Sequence, residues 1–539
     1  MTKKIFSTFI IIAIFLSNIS AQYNIKLTIP QLKNQEIILG HHFATMLIPD
    51  DTVKLNSKGS GIFKGKESLK QGMYFFFLPN KKTFDIIIGK DQNFAIHADT
   101  TDLQNKIKVE GDRENQVFAD YQRFLTKQRK IAQELTEKRK TAKGDEKKKT
   151  DQELKQLNQT VRKQIEGIIA AAPNDFFSKF LKATLEIEVP DSIKDQTARY
   201  YYYRNQYFKY FDYKDVRLLR SPIYENKIDF FLDKLLLQAP DTLIQYVDML
   251  IDGARGDKEL FRYMLVHLFN KYAKSELMGM ENVYVHIAEK YYIPDAYWSD
   301  PEFISELKRK VERKKQALIG MQAPEIKMIT LPADPADIEA LRDQLDALKA
   351  KGDEFLADKN AIEREKKELM QNYPDFTDSA ATEQAKINHL AAILNDEYIP
   401  NFDGYTSLHQ IDTKYLILWF WEPDCSHCQK MTPVLVNLYN EKHLREKGVT
   451  VMAIYLHRNI NEWHKYIEHI KKWYDFVLEH NMDIFLNVWE PFGISHFRDK
   501  YDISSTPVLY LMDKDKKIIA KRISPEQAVN IINDLEKQK

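Results

Sequence analysis

The sequence predicts a multidomain chain: a β-sandwich-like domain over residues 22–112, an all-α domain over 113–319, and an α/β domain over 320–539 with a helical insertion at about 334–397. Three observations lead there. Apolar residues alternate in short runs before residue 112, recur at helical spacing after it, and from residue 415 strand-like and helix-like segments take turns. A chain of 539 residues is also too long for a single hydrophobic core.

Lys3 and Lys4 precede an apolar run from Ile5 to Leu16, followed by Ser17, Asn18 and then Ile19-Ser20-Ala21. This pattern is a secretory signal peptide over residues 1–21 with cleavage after Ala21. The run is short for a membrane anchor, and no later apolar run could span a bilayer, so the mature chain is expected to have no transmembrane span. No cysteine follows the run to accept a lipid. Formal charge is +1, from 79 basic and 78 acidic side chains, so no overall field draws the chain to nucleic acid or anionic lipid.

In the first domain Ile25, Leu27 and Ile29 point one way. Similar runs cover Glu36 to Leu39, Gly72 to Leu78, Phe84 to Ile88 and Asn93 to Ala98, separated by Gly, Asn and Asp. From Glu114 the period changes, because Val117, Phe118, Tyr121, Phe124 and Leu125 line one helix face. The Lys/Glu/Gln-rich stretch from Lys127 to Arg162, broken at Gly144, reads as a solvated helical hairpin or a flexible excursion. Ile228, Phe231, Leu232, Leu235 and Leu236 form another stripe that stops before Pro240, with a further helix starting near Asp241. Helices continue to about Ala317. The cluster from Tyr200 to Tyr213, with Arg199, Arg204 and Lys209 interleaved, is read as aromatic packing rather than a binding surface.

The last domain opens at Gly320, with a strand over Glu325 to Leu331. The insertion is charged and helix-prone. Tyr415 to Trp421 is a continuous apolar run of strand formers, expected to be a central strand. It ends at Glu422-Pro423-Asp424, after which Cys425-Ser426-His427-Cys428 opens a helix whose buried side is Met431, Val434, Leu435 and Leu438. Further expected elements are a strand over Val449 to Leu456, a helix bearing Trp463, Ile467, Ile470, Tyr474 and Val477, and a hairpin of Val508 to Met512 with Ile518 to Arg522. Ser524-Pro525-Glu526-Gln527 is a capping box for a final helix.

Cys425 and Cys428 are the only two cysteines. At a helix amino terminus, unpaired backbone N–H groups and the helix dipole favour thiolate, so Cys425 is the candidate nucleophile. Cys428, one turn later, is near enough to form a disulfide with it and to resolve a mixed disulfide. His427, protonated or donating a hydrogen bond, would stabilise the Cys425 thiolate. A zinc site would need two more ligands, and haem attachment would need His where Gln429 stands, so no metal and no cofactor beyond the redox-active pair is expected. A purely structural bridge closing so short a loop would add little stability.

Phe420-Trp421-Glu422-Pro423-Asp424-Cys425-Ser426-His427-Cys428, with Pro433 in the helix and Ser505-Thr506-Pro507 downstream, resembles the TlpA-like and ResA-like exported branch of the thioredoxin superfamily. The resemblance covers roughly Gly320 to Lys539, and the upstream regions resemble uncharacterised domains that precede such modules. It implies that Cys425 attacks, Cys428 resolves, and Pro507 is a cis-proline opposite the pair, with the Thr506 backbone offered to an extended substrate and metal kept from the thiols. Two positions depart from the pattern. Thioredoxin has a buried Asp six residues before its first cysteine, and many ResA-like proteins have Glu three residues after the second; here stand Trp419 and Met431. Glu422 is the substitute candidate for proton acceptor.

The expected activity is therefore exchange of disulfides with protein thiols or disulfides, in the periplasm or cell envelope of a Gram-negative bacterium, with a membrane or periplasmic electron-transfer partner and no nucleic acid. The potential is expected between those of thioredoxin, about −270 mV, and DsbA, about −120 mV. The alternative is an envelope binding or scaffold protein in which the thioredoxin fold is mainly an interaction module.

Overall fold

The computed structural model describes residues 22–103, 105–331, 405–456, 466–490 and 495–537. Between 332 and 404 it also describes 340, 343, 346–347, 350, 353–354, 356–372, 377–379, 381–382 and 384–386. The leader over 1–21, most of the expected insertion and Trp463 thus lie outside the described residues. Within the insertion the helix Lys359–Asn372 is seen. The chain forms two compact units, one of residues up to Gln238 with Gln245–Met264, the other of Ala239–Ile244 with Leu265–Lys539.

The first unit holds two four-stranded sheets. Strands β1 (Tyr23–Thr28), β4 (Ser60–Gly65), β7 (Asn93–His97) and β8 (Lys108–Glu110) form one, in the order β4-β1-β7-β8. Strands β2 (Glu36–Phe43), β3 (Met46–Lys54), β5 (Gly72–Phe77) and β6 (Thr83–Ile88) form the other, in the order β3-β2-β5-β6. Ile25, Leu27, Phe63, Phe94 and Ile96 of the first sheet share one core with Ile37, Leu39, Phe76, Ile86 and Ile88 of the second. The β-sandwich expectation is met. Three strands escaped it: β3 presents many exposed polar residues, β8 has three residues, and β4, Ser-Gly-Ile-Phe-Lys-Gly, buries only Phe63 and so shows no alternation.

Asp112 starts the first helix by accepting from the N–H groups of Glu114 and Asn115. That helix, Arg113–Thr141, and the next, Gly144–Ala171, form the expected hairpin, turning at Ala142 and Lys143. Tyr207, Phe211 and Tyr213 of the aromatic cluster are buried, with Tyr207 stacked on Phe231 at 5.3 Å, while Tyr200 and Tyr201 are exposed. Packing is thus the use of the cluster's second half. The helix Tyr224–Lys234 ends before Pro240, which opens the helix Pro240–Ala254.

In the second unit a seven-stranded sheet carries the site. Its strands are β9 (Lys327–Thr330), β10 (Tyr405–Ser407), β11 (Tyr415–Trp421), β12 (Val449–Tyr455), β13 (Leu486–Trp489), β14 (Val508–Asp513) and β15 (Ile518–Lys521), in the order β10-β9-β13-β12-β11-β14-β15. β11, β12 and β13 run parallel, and β14 pairs antiparallel with β11. All seven residues of β11 are buried. Period-two alternation sends Tyr415, Ile417, Trp419 and Trp421 into one core and Leu416, Leu418 and Phe420 into another on the opposite face. Burial on both faces is what a continuous apolar run encodes, and each such side chain contributes about 1.5–3 kcal/mol.

Helix residues pack against the sheet through charge as well. Glu281, on the helix Met280–Ile287, pairs with both Lys314 and Lys521. Lys314 also reaches Asp502 at 2.8 Å, and Arg522 donates to the Asp502 carboxylate at 2.7 Å and to its carbonyl at 2.6 Å. The segment leading to Thr506 is thereby tied to the helix Pro301–Lys315. The final helix, Pro525–Lys537, has the expected capping box: Gln527 N–H donates to Ser524 Oγ at 3.3 Å, and the Gln527 side chain accepts from Ser524 N–H at 2.9 Å.

Candidate active site

The carboxy end of β11 delivers the chain through Glu422-Pro423-Asp424 to Cys425, the N-cap of the helix Ser426–Glu441, at φ −89° and ψ 113°. The extended backbone at an N-cap aims its side chain over the first turn. The Cys428 N–H accordingly donates to Cys425 Sγ at 3.4 Å. Both cysteines are free thiols; Cys425 is half-buried and Cys428 fully buried. The Thr506–Pro507 bond is cis, and Cys425 Sγ donates to the Thr506 carbonyl at 3.3 Å.

The environment separates the two sulfurs. Burial works against a Cys425 thiolate, but hydrogen bonds from the Cys428 side chain and backbone N–H, the Thr506 side chain and the His427 backbone N–H outweigh it, so the thiol lies below its ordinary range. Burial pushes Cys428 up to about 12, opposed in part by the Glu422 backbone and the Thr506 side chain. The surroundings thus favour thiolate at Cys425 and hold Cys428 as a thiol.

Of the remaining expected residues, Thr506, Pro507 and Glu422 converge here. The Thr506 hydroxyl donates to Glu422 Oε1 at 2.8 Å, across 84 positions of sequence. His427 lies beside Cys425 but its side chain is exposed; what it brings to the sulfur is its backbone N–H. Trp419, where thioredoxin has Asp, is buried and donates its indole N–H to Thr432 Oγ1 at 3.3 Å, while Met431 packs against the same core as Cys428.

Arg498 and Glu490 also lie near the site. Buried Glu490 accepts from Ser495 N–H at 2.5 Å and from its hydroxyl at 2.8 Å, and Arg498 sits in the fields of both Glu490 and Glu422. No local pattern marks them, since each is single and the fold alone assembles them. At the exposed rim Asp424 pairs with Lys472 at 3.5 Å. Among the described residues no helix is long and apolar enough to cross a membrane.

Residues 412–518 match the family model Thioredoxin-like, and residues 139–317 match a domain of unknown function, DUF5106. A thioredoxin-like protein from Bacteroides caccae is 17% identical, covering 65% of this chain and 98% of its own, with a TM-score of 0.39. A domain of a possible thiol-disulfide isomerase from Cytophaga hutchinsonii is 35% identical over 25% of this chain and 84% of its own, at a TM-score of 0.22. A secreted disulfide oxidoreductase of Mycobacterium tuberculosis is 18% identical over 22% of this chain and 81% of its own, at 0.18. No curated protein matches. The carboxy-terminal domain is thus thioredoxin-like over residues 412–518. In this chain that domain follows a DUF5106 region and a β-sandwich.

Proposed function

We propose that the chain is an exported oxidoreductase that exchanges disulfides with protein substrates through Cys425 and Cys428. The observation that carries this reading is the pairing of a half-buried Cys425 sulfur, at a helix amino terminus and against the Thr506 carbonyl, with a buried Cys428 one turn below it. In the reductive direction the Cys425 thiolate attacks a substrate disulfide and forms a mixed disulfide as one substrate sulfur leaves. Cys428 then attacks Cys425 Sγ, releasing the second substrate sulfur and leaving the pair oxidised. Glu422 serves as the proton acceptor that Trp419 does not provide.

The leader at Lys3 to Ala21 supports export to the periplasm or cell envelope of a Gram-negative bacterium, where a membrane or periplasmic partner would reset the pair. Hydrogen bonds that favour the Cys425 thiolate favour the reduced form, which supports a potential between about −270 and about −120 mV. Reduction of insulin disulfides by the wild type and by Cys425→Ser tests the reading: the variant should fall to the uncatalysed rate, and equal rates would refute it.

A further inference from the structure

The compact unit that carries the two cysteines also takes in Leu265 onward, so the helices Met280–Ile287 and Pro301–Lys315, both inside the DUF5106 match, belong with the sheet. Lys314, near the end of the second helix, has a specific target in the thioredoxin-like match. Its ammonium group lies between two carboxylates, Glu281 and Asp502, with Asp502 Oδ2 at 2.8 Å. The Lys314 side chain is 15% exposed and that of Asp502 25%, so salt screens this pair less than a surface one.

Asp502 is where the chain leaves the helix Phe497–Lys500 for the loop that ends at Pro507. Its φ is +50°, in the left-handed region that a residue with a side chain enters at a steric cost, so contacts from outside have to hold it there. Its N–H donates to the Asp499 carbonyl at 3.1 Å, Arg522 donates to its carbonyl at 2.6 Å and to its carboxylate at 2.7 Å, and Lys314 adds its own bond to that carboxylate. Ile503 is buried and donates its N–H to the Arg498 carbonyl at 2.7 Å, whereas Ser504 and Ser505 are exposed. With so little packing of its own, the exposed stretch takes its course from its two ends. One end is Asp502; the other is Thr506, whose carbonyl accepts from Cys425 Sγ at 3.3 Å and whose hydroxyl donates to Glu422 at 2.8 Å. A substrate bonded to Cys425 Sγ therefore has to lie against this loop.

We propose that Lys314 is a positioning residue for the thiol site: through Asp502 it holds the loop of residues 503–507 where a substrate joined to Cys425 meets it. This deepens the reading of Cys425 as nucleophile and rests on it. The last helices of the DUF5106 match then serve the reaction without touching the sulfurs. A loop that is already held does not have to be ordered by the incoming chain, so the contact acts on substrate affinity rather than on the exchange of sulfurs.

Reduction of insulin by the full chain, with dithiothreitol as the reductant, gives KM and kcat separately. Lys314→Met, which keeps the stem and removes the charge, should raise KM for insulin at least about fivefold and leave kcat within about twofold. Asp502→Asn, which keeps the size and suits the left-handed backbone, should do the same. Lys314→Arg should bring KM back to within about twofold of the wild type, and adding Lys314→Met to Asp502→Asn should bring no further rise, because the lysine acts through the carboxylate. Cys428 should stay protected from iodoacetamide in each variant. KM unchanged in Lys314→Met and in Asp502→Asn, a fall in kcat at constant KM, an Arg variant as impaired as Met, or a rise in KM accompanied by labelling of Cys428 would overturn the proposal. Insulin reduction that survives in Cys425→Ser would overturn the underlying assignment instead.

Discussion

Selective alkylation reads the asymmetry of the two cysteines directly. Cys428 is fully buried and its thiol is held near about 12 against an ordinary 9, whereas Cys425 lies below the ordinary value. A rise from 9 to about 12 corresponds to about 4 kcal/mol against the Cys428 thiolate. At pH 7 that leaves about a thousandfold less thiolate than an ordinary thiol has, before the closed packing around the sulfur is counted. Only the thiolate reacts with iodoacetamide. The reduced native chain, treated at pH 7 and mapped by mass spectrometry, should therefore be modified at Cys425 with Cys428 protected by at least about a thousandfold. Modification should become equal only in denaturant. Labelling of Cys428 within tenfold of Cys425 in the native chain would refute the argument, because it would mean that burial does not hold that sulfur as a thiol.

Two further expectations concern stability. Glu114 accepts from Phe177 N–H at 2.7 Å, and burial first, with Asp175 and Asp112 adding to it, raises its carboxyl to about 7. A raised carboxyl binds protons more tightly in the folded state, so its stabilising effect is present below its ordinary value of 4.5 and is lost as pH rises through about 7. Glu114→Gln keeps an acceptor for Phe177 without that titration. Urea unfolding should show the variant gaining on the wild type by up to about 3 kcal/mol between pH 5 and pH 8, and parallel pH profiles would contradict this. Glu281→Ala removes the counter-charge of Lys521, whose side chain is 8% exposed, and should cost about 3 kcal/mol in thermal unfolding. Adding Lys521→Met should recover part of that loss; a double variant that simply adds the two losses would show that the pair is not coupled.

The parts of this fold that could be read from the sequence are those where one physical signal dominates. The unbroken apolar run at Tyr415 to Trp421 can be satisfied only by a strand covered on both faces, and β11 is that strand. The capping residues at Ser524 and Gln527 announced the last helix for the same reason, since the orphan N–H groups there need local partners. The edge strand β3 carries Pro49, Asp50 and Asp51 and buries little, so no periodicity marked it. At the site, the cysteine spacing pointed to the proposed thiol chemistry, and the neighbouring Glu422 could be named as a carboxylate near the pair. Its link to the Thr506 hydroxyl could not, because that contact spans 84 positions and depends on how the loop before β14 meets the end of β11. His427 was expected to act through its ring; its exposed side chain and its backbone contact to the sulfur follow from its place in the first helical turn, where N–H groups point at the N-cap.

On the proposed reading Cys425 makes the bond to substrate and Cys428 breaks it. It is tested most directly by incubating Cys428→Ala with a disulfide-bonded protein and mapping the cross-linked species by non-reducing electrophoresis and mass spectrometry. A long-lived mixed disulfide attached solely through Cys425 is expected, absent from Cys425→Ser and released by dithiothreitol. Failure of Cys428→Ala to form any such adduct, or an adduct in Cys425→Ser carried by Cys428, would contradict it.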